Sequence, residues 1–312
     1  MSAMIGTVFR IDSSLREGVV WRTLNRLAVA GRPEPLERHH ERAGALYDID
    51  DPGAREVAFA RLAQTEFVAL DLLAPLEEAL AERPALATRF GTVLVGEALG
   101  RAQEGVTCDG EGNLLGFRVL PSRFDDGAAL HGWCRHALGH AEDTLDPTFD
   151  FVPGWDAVPG AGGVAGRLHA LWDVSVDGRA HSAGNPVPGA DPRRHEAAIA
   201  AMLPPAHAPA ATAVVERLWS GPRPTFRRLF DWAEHVERLA DAVGYRIEVE
   251  AGSPLPPGRC PLCTFPSEDL RVPGREPAAR VAAEYPDWRP AQGLCGRCTD
   301  RYLLAVSAGG RA

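Results

Sequence analysis

Apolar residues recur at helical spacing through the N-terminal part of the chain. The spacing predicts one helix over residues 15–30. It also predicts a long amphipathic helix, or a helix pair with a break near Pro75, over residues 53–82. A further short helix is expected over residues 90–103. These segments make the start of the chain a helical region.

The pattern of apolar and polar positions changes in the next segment. Residues 106–108 and 114–120 flank a turn rich in Gly, Asp and Asn, which is typical of a β-hairpin. A helix is expected from about residue 126 to residue 145, and Pro147 limits its end because the residue before a proline avoids α-helical geometry. Residues 151–165 are rich in Gly and Pro and should form a loop.

Helical spacing returns in the C-terminal half. Residues 193–203, 209–219 and 224–243 are expected to be helices. Residues 245–250 alternate with a period of two and fit a strand. Residues 169–176 fit either a strand or a short helix, and the Asp-Gly pair that follows them is typical of a hairpin turn.

Composition and charge restrict the class of protein. The 312 residues include 33 Lys and Arg against 42 Asp and Glu, a net charge of −9, which disfavours a general attraction for nucleic acid. No apolar run approaches the roughly 20 residues needed to span a bilayer. The N-terminus lacks the charged and apolar regions of a signal peptide. We therefore expect a cytoplasmic protein without a membrane span.

Four of the six cysteines form two C-x-x-C pairs near the C-terminus, Cys260 with Cys263 and Cys295 with Cys298. Two such pairs can close a tetrahedral zinc site, which leaves no open position for a substrate and therefore serves folding. A helical pattern follows Cys298, so the second pair should lie at a helix N-terminus, where backbone N–H groups favour thiolates. The arrangement resembles a treble-clef or zinc-ribbon module. The alternative is a pair of redox-active dithiols, or cysteines that are buried without any relation to each other.

A second candidate site lies on the helix expected at residues 126–145. His136 and His140 are four residues apart and share one helix face, so their imidazoles can bind one metal ion. Asp146 is a third-ligand candidate only if the helix bends or ends soon after His140, because an unbroken helix would place it about 15 Å from His136 along the axis. Asp143 lies on the same face and suits a partner of His140 better than a ligand. The alternative is a pair of hydrogen-bonded structural histidines.

This segment resembles the active-site helix of the zincin metallopeptidases. His136 and His140 match the two metal ligands of that family, and Asp146 matches the third-ligand spacing of its metzincin group. The resemblance departs at Ala137, which replaces the glutamate that serves as general base, and at Asp143, which replaces a helix-ending glycine. It therefore implies a metal site without its usual base.

A wider resemblance includes the segment from Leu171 to Arg179 and the C-terminal cysteines. Together with the histidine helix, these segments are similar to uncharacterised bacterial proteins that carry a zincin-like helix. The resemblance implies a related fold and supplies no substrate. Independently of this resemblance, Asp173, Arg179 or His181 is a candidate to line the metal cleft; the alternative is the tip of a hairpin at Asp177-Gly178.

The sequence predicts an α+β fold that is mainly helical, with a zincin-like core. We assign residues 1–89 to an N-terminal helical region, residues 90–250 to the zincin-like core and residues 251–312 to the four-cysteine zinc module. We expect a zinc-binding protein with a zincin-like metallopeptidase scaffold that is degenerate or non-proteolytic. Such a protein is either a metal-dependent hydrolase or an inactive homologue of the metallopeptidases. The alternative is a non-enzymatic protein that binds a protein partner through its C-terminal module.

Overall fold

The structure is a computed structural model that describes residues 7–109, 114–155, 162–203, 207–245, 251–255 and 257–309, with the backbone alone described for residues 304–309. The chain divides into two compact units, Met1–Val243 and Gly244–Ala312. The first is mainly helical with one small sheet, so the predicted α+β class is confirmed. Within the described ranges, no helix combines the length and apolarity needed to cross a membrane.

The first unit contains four strands and eleven α-helices among its described residues. The strands are β1 Val8–Ile11, β2 Thr92–Glu97, β3 Gly105–Cys108 and β4 Leu114–Val119. The helices are α1 Ser13–Val29, α2 Glu34–Leu46, α3 Pro52–Ala69, α4 Ala74–Ala81, α5 Pro84–Arg89, α6 Gly127–Leu145, α7 Gly162–Ser182, α8 Pro192–Met202, α9 Ala211–Ser220, α10 Phe226–Glu234 and α11 Val236–Ala242.

Aspartate side chains set the start of several of these helices. Asp12, Asp51, Asp126 and Asp191 precede α1, α3, α6 and α8, and each accepts a hydrogen bond from a backbone N–H in the first turn. Such a cap satisfies a donor that has no partner inside the helix and contributes about 1 kcal/mol. The cap at Asp126 thus fixes where the histidine-bearing helix α6 begins.

The sheet lies in the order β1-β2-β4-β3. β1, β2 and β4 run parallel, and β3 pairs antiparallel with β4, which confirms the predicted hairpin. α6 contributes Leu130, Cys134 and Leu138 to the core that forms around the sheet, together with apolar residues of α1 and α4. Ala137 belongs to the same buried core and is only 4% exposed.

A second core surrounds α7. Leu168, Leu171 and Trp172 pack with apolar residues of α9 and α10. Small residues bring the helices close together: a Cβ added at Gly139 of α6 would lie 2.6 Å from Cγ1 of Val176 on α7. The absence of a side chain at Gly139 therefore lets α6 and α7 face each other at short range.

Two sequence-based assignments are wrong in this unit, and the single helix predicted over 224–243 is interrupted at His235, so that it forms α10 and α11. Residues 90–103 do not form a helix, because Thr92–Glu97 is strand β2, paired on both sides, and only Arg101–Gln103 forms a 3₁₀ turn. The Asp177-Gly178 pair does not form a hairpin turn, because α7 continues through it to Ser182. Gly178 is needed for packing, since a Cβ there would lie 2.4 Å from the carbonyl oxygen of Trp219.

Other predicted elements are confirmed within a few residues. The helix predicted from 126 to 145 is α6, and the helix or helix pair predicted over 53–82 is the pair α3 and α4. The predicted loop over 151–165 ends earlier than expected, because α7 begins at Gly162. The strand predicted over 245–250 lies almost entirely outside the described residues.

The second unit is built from short elements. These are β5 Gly258–Arg259, β6 Pro266–Ser267, α12 Arg275–Glu284 and α13 Gly296–Gly309. β5 and β6 pair antiparallel and flank the first C-x-x-C pair. The core of the unit contains Leu270, Val281 and Trp288 beside buried cysteines.

Candidate metal centres

Helices α6 and α7 bring four ionisable side chains together. His136 and His140 lie one turn apart on α6, and Asp173 and Asp177 lie one turn apart on α7, so each pair shares one helix face. Nε2 of His140 lies 3.0 Å from Oδ1 of Asp173, and Nε2 of His136 lies 3.4 Å from the same oxygen. The two imidazoles and the Asp173 carboxylate therefore converge on one point.

The spacing of these donors fits a single metal ion. The two Nε2 atoms of His136 and His140 lie 3.1 Å apart, so the three donor atoms form a triangle with edges of 3.0, 3.1 and 3.4 Å. Ligands at about 2.0–2.1 Å from a tetrahedral zinc lie about 3.3 Å from each other. His136, His140 and Asp173 thus form a group that could bind a metal ion.

Asp177 orients the first histidine. Its Oδ1 lies 2.7 Å from Nδ1 of His136, and its Oδ2 lies 2.9 Å from Nε2 of His195 on α8. A carboxylate that accepts the Nδ1 proton leaves the Nε2 lone pair of His136 free for a metal, as in carboxylate–histidine–zinc arrangements. Asp177 is only 5% exposed, so this contact is shielded from water.

The electrostatics of the group also favour a cation. Burial lowers the pKa of His136, but hydrogen bonds to Asp173 and Asp177 outweigh it and raise that pKa to about 10. Burial opposes ionisation of Asp173, yet its hydrogen bonds to His136 and His140 hold the pKa of this carboxyl below its usual value. Burial lowers the pKa of His140. A divalent ion could take the place of the proton shared within this group.

One side of the group is open to solvent. The side chains of His140, His136 and Asp173 are 17%, 23% and 37% exposed, respectively. The indole of Trp172 packs edge-on against His140, with ring centroids 4.5 Å apart, and closes the inner side. A small molecule or water could therefore reach an ion held by these three residues.

Asp146, the predicted third ligand, lies in a different environment. It caps the 3₁₀ turn Pro147–Phe149 by accepting the backbone N–H of Thr148, and it forms an ion pair with Arg223. α6 remains helical to Leu145, so Asp146 is carried along the axis away from His136. The metal-capable group found among the described residues contains Asp173 in its place.

Asp143 supports the histidine site indirectly, through its hydrogen bond with Trp172. It is 1% exposed and accepts hydrogen bonds from Nε1 of Trp172 at 2.7 Å, from Arg179 at 2.6 Å and from Arg223 at 3.0 Å. Trp172 in turn packs on His140. Asp143 thus holds the indole that closes the inner side of the metal group.

Replacing Asp143 with alanine should destabilise the first unit by about 3 kcal/mol, because it leaves the Arg179 and Arg223 guanidinium groups without their buried partner. Urea unfolding followed by circular dichroism would measure the change. The matched control is Asp125→Ala, which removes a more exposed partner of Arg22 and should cost no more than about 1 kcal/mol. Equal effects of the two substitutions would contradict the buried network.

One signal in the sequence could have identified Asp173. Asp173 and Asp177 are four residues apart, which places both on one face if the segment is helical. The Asp-Gly pair at 177–178 favoured a turn and concealed this spacing. His195 carries no local signal, because its contact with Asp177 depends on how α8 packs beside α7.

The four C-terminal cysteines form a second group that could bind a metal ion. Their sulfur atoms all lie within 4.8 Å of one another. The Sγ atoms of Cys263 and Cys295 are 3.8 Å apart, and sulfurs bound at about 2.3 Å to a tetrahedral zinc are separated by about 3.8 Å. Cys298 lies in the first turn of α13, as predicted, and all four thiols are free of disulfides.

Backbone amides act on the ionisation of one cysteine of this group, Cys260. Burial raises the pKa of the Cys260 thiol, but backbone N–H groups of Cys295, Cys263 and Leu262 outweigh burial and lower that pKa to about 6. These backbone contacts favour the thiolate form of Cys260, which is the form that binds metals, whereas burial raises the pKa of Cys295 and Cys298.

Known proteins offer no independent guide to either centre. Comparison of the chain with protein-family models, with curated proteins and with solved structures found no match, so no family is shown for it.

Proposed function

We propose that the chain is a zinc-binding protein with two sites of different kinds. Cys260, Cys263, Cys295 and Cys298 would hold a structural zinc in a treble-clef or ribbon-like module. His136, His140 and Asp173 would hold a second zinc with an open coordination position. The triangle of donor atoms with edges of 3.0–3.4 Å carries this proposal.

The second site supports a zincin-like centre that is degenerate or non-proteolytic. The two histidines one turn apart on α6 match the metallopeptidase pattern, while Asp173 would supply the third ligand from α7. A zinc ion with three protein ligands can polarise a carbonyl group and lower the pKa of bound water to about 7. Around it, Asp177 orients His136, and Trp172 shields the inner side.

The usual general base is missing from this arrangement. Ala137 occupies its position, and its methyl group is buried in the apolar core. Asp177, the other carboxylate that contacts His136, also contacts His195 and is thereby held in place. The site is therefore suited to binding an ion, and to hydrolysis only with a base from elsewhere.

Metal analysis of the purified chain tests the proposal. We expect about two zinc ions per chain, one for each site. The double variant His136→Ala/His140→Ala should retain one zinc and its helical circular dichroism signal, whereas the control His181→Ala/His235→Ala should retain both. A single zinc that depends only on the cysteines would contradict the histidine site.

Restoring a glutamate should not restore proteolysis. The variant Ala137→Glu places a carboxyl group in the apolar core, so we expect a loss of stability of several kcal/mol and no new cleavage of casein. Ala128→Glu, at an exposed position of the same helix, is the matched control and should be close to neutral. New proteolysis in Ala137→Glu would mean that the glutamate reaches the ion.

One observation favours the alternative, a non-enzymatic protein that binds a partner through its C-terminal module. Phe265, between the first cysteine pair and β6, is 68% exposed. Exposed aromatic rings are enriched at protein interfaces. If this alternative holds, Phe265→Ser in the full chain should abolish capture of a protein partner that His136→Ala/His140→Ala still captures.

A further inference from the structure

A cavity of about 310 Å³ opens between helices α1, α2 and α3. Its lining residues belong to neither candidate metal centre. Buried Val20 and Ala63 line it, and the partly buried Leu62 lies beside them. The rest of the lining consists of four rings and two carboxylates: Trp21, His39, Tyr47, Phe59, Glu17 and Glu56. We call the cavity with all nine of these lining residues the aromatic pocket.

Two of the four rings in this pocket are largely exposed to solvent, and Phe59 and His39 are partly buried. Trp21 is 51% exposed and Tyr47 is 69% exposed. Tyr47 meets Phe59 edge to face, with ring centroids 5.3 Å apart. Exposed aromatic clusters of this kind typically mark a binding surface.

The charge of the pocket is negative. Across the part of the chain that the structure describes, neither Glu17 nor Glu56 forms an ion pair, and no arginine lines the cavity. Burial lowers the pKa of His39, which favours the neutral ring and reduces its repulsion of a cation. Its Nδ1 atom is buried and has no hydrogen-bond partner.

We propose that the aromatic pocket binds an alkylated ammonium cation. The faces of Trp, Tyr and Phe rings attract such a cation, and more strongly where the pair is shielded from water. Glu17 and Glu56 add attraction from positions that are themselves exposed. The apolar surface of Val20, Leu62 and Ala63 favours methyl groups over N–H donors.

Two sources could supply this chemistry, and a calorimetric titration of the full chain distinguishes them. The probes are choline, a trimethyllysine peptide, the same peptide with unmodified lysine, and 3,3-dimethylbutanol, the neutral analogue of choline. We expect choline or the trimethyllysine peptide to bind, and the tighter of the two identifies a free small molecule or a protein side chain as the source. The unmodified peptide and the neutral alcohol should bind at least tenfold more weakly.

Variants locate the binding in the pocket. Trp21→Leu should weaken binding about 5–30-fold, the effect of one cation–π contact of about 1–2 kcal/mol. Glu17→Gln/Glu56→Gln should weaken it and reduce its salt dependence. Tyr285→Leu, at an exposed aromatic ring outside the pocket, is the control and should have no effect. Absence of binding by both cations, equal binding of the neutral alcohol, or binding unchanged by Trp21→Leu would overturn the proposal.

Discussion

Replacing Cys260 with serine should unfold the second unit, Gly244–Ala312, and leave the helical first unit intact. The strands β5 and β6 contain only two residues each, and the core of the unit includes the cysteines themselves. Structural zinc contributes about 10–16 kcal/mol to the folding of small modules at pH 7. Three of the nine buried residues of this core are cysteines, so we expect the remaining apolar residues not to hold the unit folded without the ion.

Hydrogen exchange followed by mass spectrometry would resolve the two units in the full chain. In Cys260→Ser, amides of α12 and α13 should lose protection while those of α6 and α7 keep it, and the zinc content should fall by one ion. Cys108→Ser, a partly buried thiol outside both metal groups, is the matched control and should keep both ions. Protection that persists in the second unit without zinc would show that its apolar core suffices.

Replacing Asp173 with alanine should lower the metal affinity of the histidine site by more than about 100-fold. Loss of a residue that merely orients a ligand costs about 10–100-fold, so loss of a ligand should exceed that range. His136 and His140 would remain as only two protein ligands, with the Asp177 contact to His136 unchanged. The fold should survive, because the Asp173 side chain is more than a third exposed.

Asp146→Ala separates the two candidate third ligands. Asp146 pairs with Arg223 and caps the turn after α6, so its loss should reduce stability while the zinc affinity stays within a few-fold of the unmodified chain. Competition with a chromophoric chelator would measure both affinities. A large loss in Asp146→Ala with none in Asp173→Ala would mean that the end of α6 rearranges when the ion binds.

Features that depend on local spacing could be predicted from the sequence. The helical repeat and Pro147 predict α6, and with it the shared face of His136 and His140. The two C-x-x-C pairs predict the cysteine group, because each pair presents its sulfurs from one tight turn. In these cases the residues that determine the geometry lie within a few positions of each other in the chain.

Contacts between distant segments could not be predicted in the same way. The spacing of apolar residues in strand β2 also fits a helix. It is a strand because it pairs with β1 and β4, which are distant from it or separate from it in the sequence. The aromatic pocket likewise requires α1, α2 and α3 to pack together, which no periodicity within one helix can specify.

The sequence by itself determined that the two histidines share a helix face, that the four cysteines form two close pairs, and that the fold is mainly helical. Each of these follows from periodicity or spacing within a short segment. Only the tertiary structure decided that Asp173 rather than Asp146 lies beside the histidines and that Asp177 joins His136 to His195. The physical reason is that Gly139 and Gly178 allow α7 to pack closely against its neighbours, and this packing sets which carboxylate reaches the imidazoles.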